Sequence, residues 1–135
     1  MSPVSAELRQ KVFDLRHKFA PGWLEVVSIS EGWYRLVADC DAELTAVDPA
    51  YKINQIKEKF GGLRYYIEPS SPELADQLYA IVHKYEELSL RTCEVTGDSG
   101  VLMKSRGGWY RTLNPGYAEA SLAYFDYKPV DQAKE

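Results

Sequence analysis

The sequence predicts an α+β fold, and three observations predict it. Stretches near the N-terminus and from Ser71 to Arg91 carry apolar residues at helical spacing. Between them, "YKINQIKEKFGGLRYYIEP" holds two runs that suit strands, on either side of Gly61–Gly62. Near the C-terminus, "GVLM" and "GWYRTL" flank a "KSRGG" turn as a second strand pair. The expected arrangement is helices packed on antiparallel hairpins. At 135 residues and 45% hydrophobic content, the chain is long enough to bury a core, and one domain is expected. Its parts are a helical 1–49, a hairpin plus long helix at 50–91, a ribbon-like hairpin at 92–118 and a tail at 119–135.

Ser5 is placed to cap a first helix that runs to about Phe19, with Leu8, Val12, Leu15 and Phe19 on one face. Pro21 and Gly22 stop it, because both break helices. "WLEVVSIS" alternates poorly and reads as a strand or an extended connector. Ser30 is placed to cap a second helix, whose stripe is Trp33, Leu36, Val37, Cys40, Leu44 and Val47. Gly61–Gly62 tolerates the positive φ of a tight hairpin turn. In the strand after it, Leu63, Tyr65 and Ile67 point one way, and Arg64, Tyr66 and Glu68 the other. Ser71, with Pro72 at the first helical position, opens a long helix whose stripe is Leu74, Leu78, Ile81, Tyr85 and Leu88. The tail after Ala118 has room for a helical turn or two and is expected to fray after Lys128.

A formal net charge of −4 excludes a strongly cationic field over the whole molecule. The two cysteines, Cys40 and Cys93, are far apart, so no disulfide framework is implied and the chain fits a reducing cytosol. "MSPVSAELRQ" lacks the apolar segment of a signal peptide, and the expectation is a soluble cytoplasmic protein without a membrane partner. Cys40 lies on an apolar stripe and reads as core. His83 lies off its helix's stripe among charged neighbours and reads as a solvated surface residue. The sequence has no GxSxG, P-loop, HExxH or dinucleotide fingerprint. No catalytic residue and no cofactor is therefore assigned.

"TCEVTGDSG…GGWYRTLNPGYA" opens like a zinc ribbon. A structural zinc needs four ligands, which two CxxC knuckles supply because each tight turn presents two thiolates. Here Cys93 opens the first knuckle but Thr96 takes its second position, and Asn114 and Tyr117 stand where a second knuckle belongs. One thiolate does not hold a structural zinc, so no metal ligand is assigned.

"INQIKEKFGGLRYYIE", a helix, and then this ribbon-like segment resemble a group of small uncharacterised phage and bacterial proteins. That group shares an IKEKFGGLRFY-type hairpin and a C-terminal CxxCG…GGW…TLCxxC ribbon. The likeness spans roughly Trp33 to Ala118. It implies the fold and a phage or mobile-element setting, with a ribbon whose ligands are lost at Thr96, Asn114 and Tyr117. Packing then has to hold that ribbon, and Trp109, Leu113 and Tyr117 are the candidates.

Lys52, Lys57, Lys59 and Arg64 crowd the first hairpin, and Lys104, Arg106 and Arg111 the second, while the helices carry the acids. These cations either face the acidic helices of their own domain or form a patch with exposed aromatics. Arg64, Tyr66, Arg106, Trp109 and Tyr110 are the candidate contact surface, and Trp109 is alternatively a core anchor. Three functions follow as expectations. The first is a non-enzymatic accessory protein that binds another protein, as an inhibitor, anti-defence or immunity-type factor. The second is a nucleic-acid-binding protein that uses the basic and aromatic patch. The third is an unrecognised enzyme acting on a nucleotide. The lost ligands carry a direct expectation: elemental analysis of purified protein finds no stoichiometric zinc, and Cys93→Ser still folds by circular dichroism. Bound zinc would overturn the ligand count.

Overall fold

The computed structural model describes residues 4–130. Expectations for Met1–Pro3 and for residues 131–135 lie outside the described residues. The fold is α+β, with four α-helices and two three-stranded sheets.

Helix α1 (Ala6–Asp14) begins where the Ser5 hydroxyl accepts the Leu8 N–H at 3.0 Å. It tightens into a 3₁₀ turn, Leu15–Lys18. Strand β1 is only Val27–Ser28. A 3₁₀ turn at Glu31–Trp33 then leads into α2 (Tyr34–Val47), and neither Ser30 nor Ser71 makes a side-chain cap. At the end of α2 the Asp48 carboxylate accepts from Ser70 Oγ at 2.6 Å, Ser70 N–H at 2.8 Å and Ala50 N–H at 3.2 Å. These donors, the Ser70 hydroxyl first, hold its carboxyl below the usual aspartate range. They also fasten the end of α2 to the end of the first hairpin.

Strands β2 (Lys52–Lys59) and β3 (Gly62–Glu68) form that hairpin, with Lys59 opposite Gly62. The turn is therefore Phe60–Gly61, one residue earlier than the Gly61–Gly62 pair expected. Phe60 has φ 54° and Gly61 φ 81°, and positive φ at both central residues matches the twist of the flanking strands. The Glu58 carboxylate accepts the Gly61 N–H at 2.8 Å. Gly62 instead sits in a tight spot, where a Cβ would lie 3.1 Å from Arg64 Nη1 and 3.3 Å from Leu90 Cδ2. Strand β1 adds to β2 in parallel, giving the order β1–β2–β3.

After a 3₁₀ turn at Pro72–Leu74, helix α3 (Ala75–Ser89) packs on β3 and α2. Leu63, Tyr65 and Ile67 meet Val37, Leu44 and Leu78 in the main core, as the strand alternation predicts. Helix α3 also covers the free edge of β3. Ser89 Oγ accepts the Leu63 N–H at 2.9 Å, and Glu86 Oε2 accepts the Tyr65 N–H at 3.0 Å. Backbone donors that would invite another strand are thus taken.

The second sheet is separate from the first. Strands β4 (Val101–Lys104) and β5 (Tyr110–Leu113) form the expected second hairpin, and a short α4 (Pro115–Ala120) follows. Strand β6 (Lys128–Pro129) pairs with β4, and the Val130 N–H reaches Leu102 O at 2.9 Å. Of the segment expected to fray after Lys128, Pro129 and Val130 are held on β4, and residues 131–135 lie outside the described residues. No helix among the described residues is long and apolar enough to cross a membrane.

Glu94, 1% exposed, joins the parts. Its carbonyl accepts the Gly32 N–H at 2.9 Å, and its N–H reaches Thr112 O at 3.0 Å. Its carboxylate accepts the Thr112 N–H at 3.2 Å and pairs with the Arg111 guanidinium. Burial pushes the Glu94 carboxyl up, and Arg111 and the Thr112 N–H act against that shift. Thr112 Oγ1 then donates to Gly61 O at 2.7 Å, docking the first hairpin's tip on the second hairpin. Replacing Arg111 by Leu leaves a buried carboxylate without its cation, so Arg111→Leu should lower unfolding free energy by about 2–4 kcal/mol. Glu94→Gln should lose less, since its amide oxygen still accepts from Thr112. Urea denaturation of both variants checks this ordering.

Candidate functional site

Helices α2 and α3 share the face of the first sheet that carries Ile53, Ile56, Leu63, Tyr65 and Ile67. The register places Gln55 opposite Tyr66, Lys57 opposite Arg64 and Lys59 opposite Gly62 on the other face. Lys57 and Arg64 are like charges directly across a strand pair, which costs roughly 0.2–1 kcal/mol. The ion pairs among the described residues are Arg9–Glu31, Lys18–Asp41, Lys84–Glu43, Arg91–Glu87 and Arg111–Glu94. None involves Lys52, Lys57, Lys59, Arg64, Lys104 or Arg106. Lys18 and Lys84, not the strand cations, meet the α2 acids. The acidic helices pack on the opposite side of the sheet. At the hairpin tip Phe60 is 67% exposed, with the Lys59 ammonium 5.7 Å from its ring.

An apolar loop borders this face. Ala20 N–H bonds Ile53 O at 2.8 Å, and Val27 and Ser28 rejoin β2 opposite Ile56 and Lys57. Residues 21–26 swing away between these two attachments, helped by Gly22 at φ 90°. The loop leaves Trp23, Leu24 and Val26 exposed, Leu24 to 84%. A groove of about 370 Å³ lies between Trp23, Leu24 and Val26 on one side and Gln55, Lys57 and Glu58 on the other. Val26 also lines a second depression, of about 390 Å³, with Phe13 and Arg16. The two depressions share Val26, so exposed Leu24, Val26 and Phe13 lie along neighbouring hollows, the second of them also lined by Arg9 and Glu25, with the Arg16 guanidinium 3.6 Å from the Phe13 ring centre. Sequence reasoning missed this loop, taking "APGW" as a helix stop and "WLEVVSIS" as a strand or an extended connector, of which only Val27–Ser28 is strand. Its signal was a cluster of large apolar residues straight after Pro–Gly, with no periodic stripe to bury them.

The residues singled out from sequence fall into two groups. Arg64 is half-buried, its guanidinium folded near Gly62 and donating to Leu63 O at 3.2 Å, and Tyr66 is exposed on the same face. Arg106 and Trp109 belong to the β4–β5 turn, and Tyr110 begins β5 with Lys104 5.5 Å from its ring. The two hairpins touch through Gly61, Leu102, Arg111 and Thr112. Among the described residues, no hydrogen bond or ring contact joins Arg64 or Tyr66 to the second group. Trp109 is 73% exposed and does not anchor the ribbon. The small core there is Cys93, Met103, Leu113 and Ala118, with Tyr117 packed against it.

The ribbon segment keeps two tight turns. The Thr96 N–H lies 3.4 Å from Cys93 Sγ, and Gly97 N–H bonds Cys93 O at 2.9 Å. Asn114 Oδ1 accepts the Tyr117 N–H at 3.0 Å, while its amide donates to Ser99 O at 3.0 Å. No cluster of three or more His, Cys, Asp or Glu among the described residues is placed to hold a metal.

A half-buried polar cluster lies between the turn after α1, helix α2 and the sheet. Tyr51 OH donates to Asp41 at 2.6 Å and meets Tyr65 OH at 2.8 Å, and Lys18 Nζ reaches Asp41 at 2.7 Å and Thr45 at 2.8 Å. Burial pushes both phenols and the nearby Cys40 thiol up, so all three stay protonated at neutral pH. The cluster fastens the 3₁₀ turn after α1 to α2 and the sheet. His83 is exposed on α3, as expected.

No protein-family model, curated protein or solved structure matches this chain.

Phe60 is the one non-glycine residue with positive φ among the described residues, and L side chains adopt that region at a cost of roughly 1–2 kcal/mol. Asn tolerates it better. Phe60→Asn should therefore raise unfolding free energy by about 0.5–1 kcal/mol, read as a higher thermal midpoint. A lower midpoint would mean that the ring contributes packing its exposure does not indicate.

Proposed function

We infer that this chain is a binding protein without catalytic function, and that its ligand is another protein. The observation that carries this reading is the set of exposed apolar side chains Trp23, Leu24 and Val26, with Phe13 in the next depression, set beside the cationic sheet face. A small protein that leaves such side chains outward has them available for a partner. The proposed setting is the cytoplasm of a bacterium carrying a phage or mobile element. There the chain acts as an inhibitor, anti-defence or immunity-type factor. That setting rests on the hairpin and ribbon resemblance, including the two turns at Cys93 and Asn114 as remnants of a ribbon's knuckles.

A second reading, nucleic-acid binding, is favoured by the β4–β5 turn. Its exposed Trp109 stands near Lys104 and Arg106, neither of them in an ion pair among the described residues. An indole beside cations suits base stacking and phosphate contact.

Leu24→Asp and Val26→Asp alter only exposed side chains and should leave the circular dichroism spectrum unchanged. Quantitative affinity capture from bacterial lysate should show the bound protein falling at least about ten-fold in either variant. The same proteins retained equally by wild type and both variants would sink the reading. Nuclease-sensitive retention, lost in Arg106→Ala and steeply salt-dependent, would favour the nucleic-acid reading instead.

A further inference from the structure

The open face carries a pattern that points to the chemistry of its partner, and the inference rests on the protein-binding reading above. From the hairpin tip outward, the face presents Phe60, then the Lys59–Gly62 rung, then Lys57–Arg64, then Gln55–Tyr66. Three cations fill two adjacent rungs between two exposed aromatic rings. No carboxylate of the described residues pairs with any of them. The adjacent Glu58 accepts the Gly61 N–H through one carboxylate oxygen and lines the far wall of the groove, where an apolar side chain rather than a carboxylate is placed, and Glu68 stands opposite Lys52 at the far end. Gly62 gives the Arg64 guanidinium room to lie back along the face. The hairpin thus keeps a repulsive Lys57–Arg64 pair and a strained, exposed Phe60 that its own fold does not require. Local strain and like charge of this kind are maintained where a ligand relieves them.

We propose that this face binds an extended acidic segment of the partner protein, with Asp or Glu at alternate positions and one large apolar side chain in the groove beneath Trp23 and Leu24. Successive rungs on one face are about 6.8 Å apart, and so are alternate side chains of an extended peptide. A segment laid along the strands therefore brings carboxylates at i and i+2 over the Lys57–Arg64 and Lys59 rungs. The groove between the loop and Gln55–Lys57, about 370 Å³, admits the apolar side chain from the same segment. Charge complementarity selects an acidic occupant. The aliphatic wall of Leu24 and Val26 selects a polypeptide over a polynucleotide, whose phosphates gain nothing from it.

Fluorescence polarisation at low salt tests this with two labelled decapeptides and an oligothymidylate. One peptide alternates Glu with Thr around a central Leu; the other has every Glu replaced by Gln. The Glu peptide should bind roughly ten-fold more tightly than the Gln peptide, as expected for several surface charge contacts. The exposed-face variant Lys57→Gln/Arg64→Gln should erase that difference, and Phe60→Asn should weaken binding while the protein stays folded. Equal binding of the two peptides, no binding of the Glu peptide, or no effect of the double variant overturns the proposal. Tighter binding of the oligothymidylate overturns it too. If both peptides bind equally and Leu24→Asp abolishes both, the charge pattern is wrong and the protein-binding reading stands. If lysate capture ignores Leu24→Asp, that reading itself has failed.

Discussion

The buried carboxylate of Glu94 is the constraint on which the arrangement depends. A carboxylate out of water needs donors on every side, and here they come from the second hairpin. Satisfying it fixes Arg111 and Thr112, and Thr112 then seizes the carbonyl of Gly61 at the tip of the first hairpin. The backbone oxygen of Glu94 takes the Gly32 N–H at the entry to α2. At this crossing a Cβ on Gly32 would sit 2.3 Å from the Cys93 carbonyl oxygen, so only glycine allows the approach. Trp33, wholly buried, completes it by donating its indole N–H to Thr92 O at 2.8 Å. One polar residue thus sets how helices, first sheet and second sheet meet.

The open face follows from how the apolar stripes are spent. Helices α2 and α3 both turn their stripes onto one side of the β2–β3 hairpin, and α3 also blocks the β3 edge. On the other side Leu90 reaches Gly62 near the tip, while Lys57, Arg64 and Tyr66 stay at least partly exposed. That side is polar and cationic at its centre, and its border is the apolar loop at residues 21–26. A mixed surface of this kind stays in water without a large contiguous apolar patch, and it supplies the area and charge that the proposed partner would use. Phe60 and the Lys57–Arg64 rung are where local stability is lower than it need be. That is the expected position of a site whose use is not folding.

Much of the fold was legible because its signals are local. Ser5 caps α1 as expected, the α2 stripe buries Trp33, Val37, Cys40 and Leu44, and β3 alternates Leu63, Tyr65 and Ile67 inward. Each depends on residues within a turn or two. The hairpin turn was displaced by one residue because two glycines looked equivalent, and only packing tells them apart. Gly61 is pressed against Leu102 and Arg111, and Gly62 against Arg64 and Leu90. The tail failed for a similar reason, since the partners of Lys128 and Pro129 lie on β4, far away in the chain. Of the candidate site, Arg64 and Tyr66 could be assigned to a solvent-facing row from alternation alone. Trp23, Leu24, Val26 and Phe13 could not be assigned to a surface from sequence, because nothing local says that a large apolar residue stays outside.

The tetrapeptide GWYR states the division most clearly. It occurs at Gly32–Arg35 and again at Gly108–Arg111. In the first copy Trp33 is fully buried at the start of α2. In the second Trp109 is largely exposed in the turn just before β5, after a glycine with open space around it. The sequence by itself determined the fold class, the periodic faces and the row of cations on the first hairpin, since these need only residue type and spacing along one element. Tertiary structure alone decided which tryptophan is core, which glycine makes the turn and which face of the sheet stays open. Those outcomes depend on what other elements bring within a few ångströms, and local spacing carries no record of that.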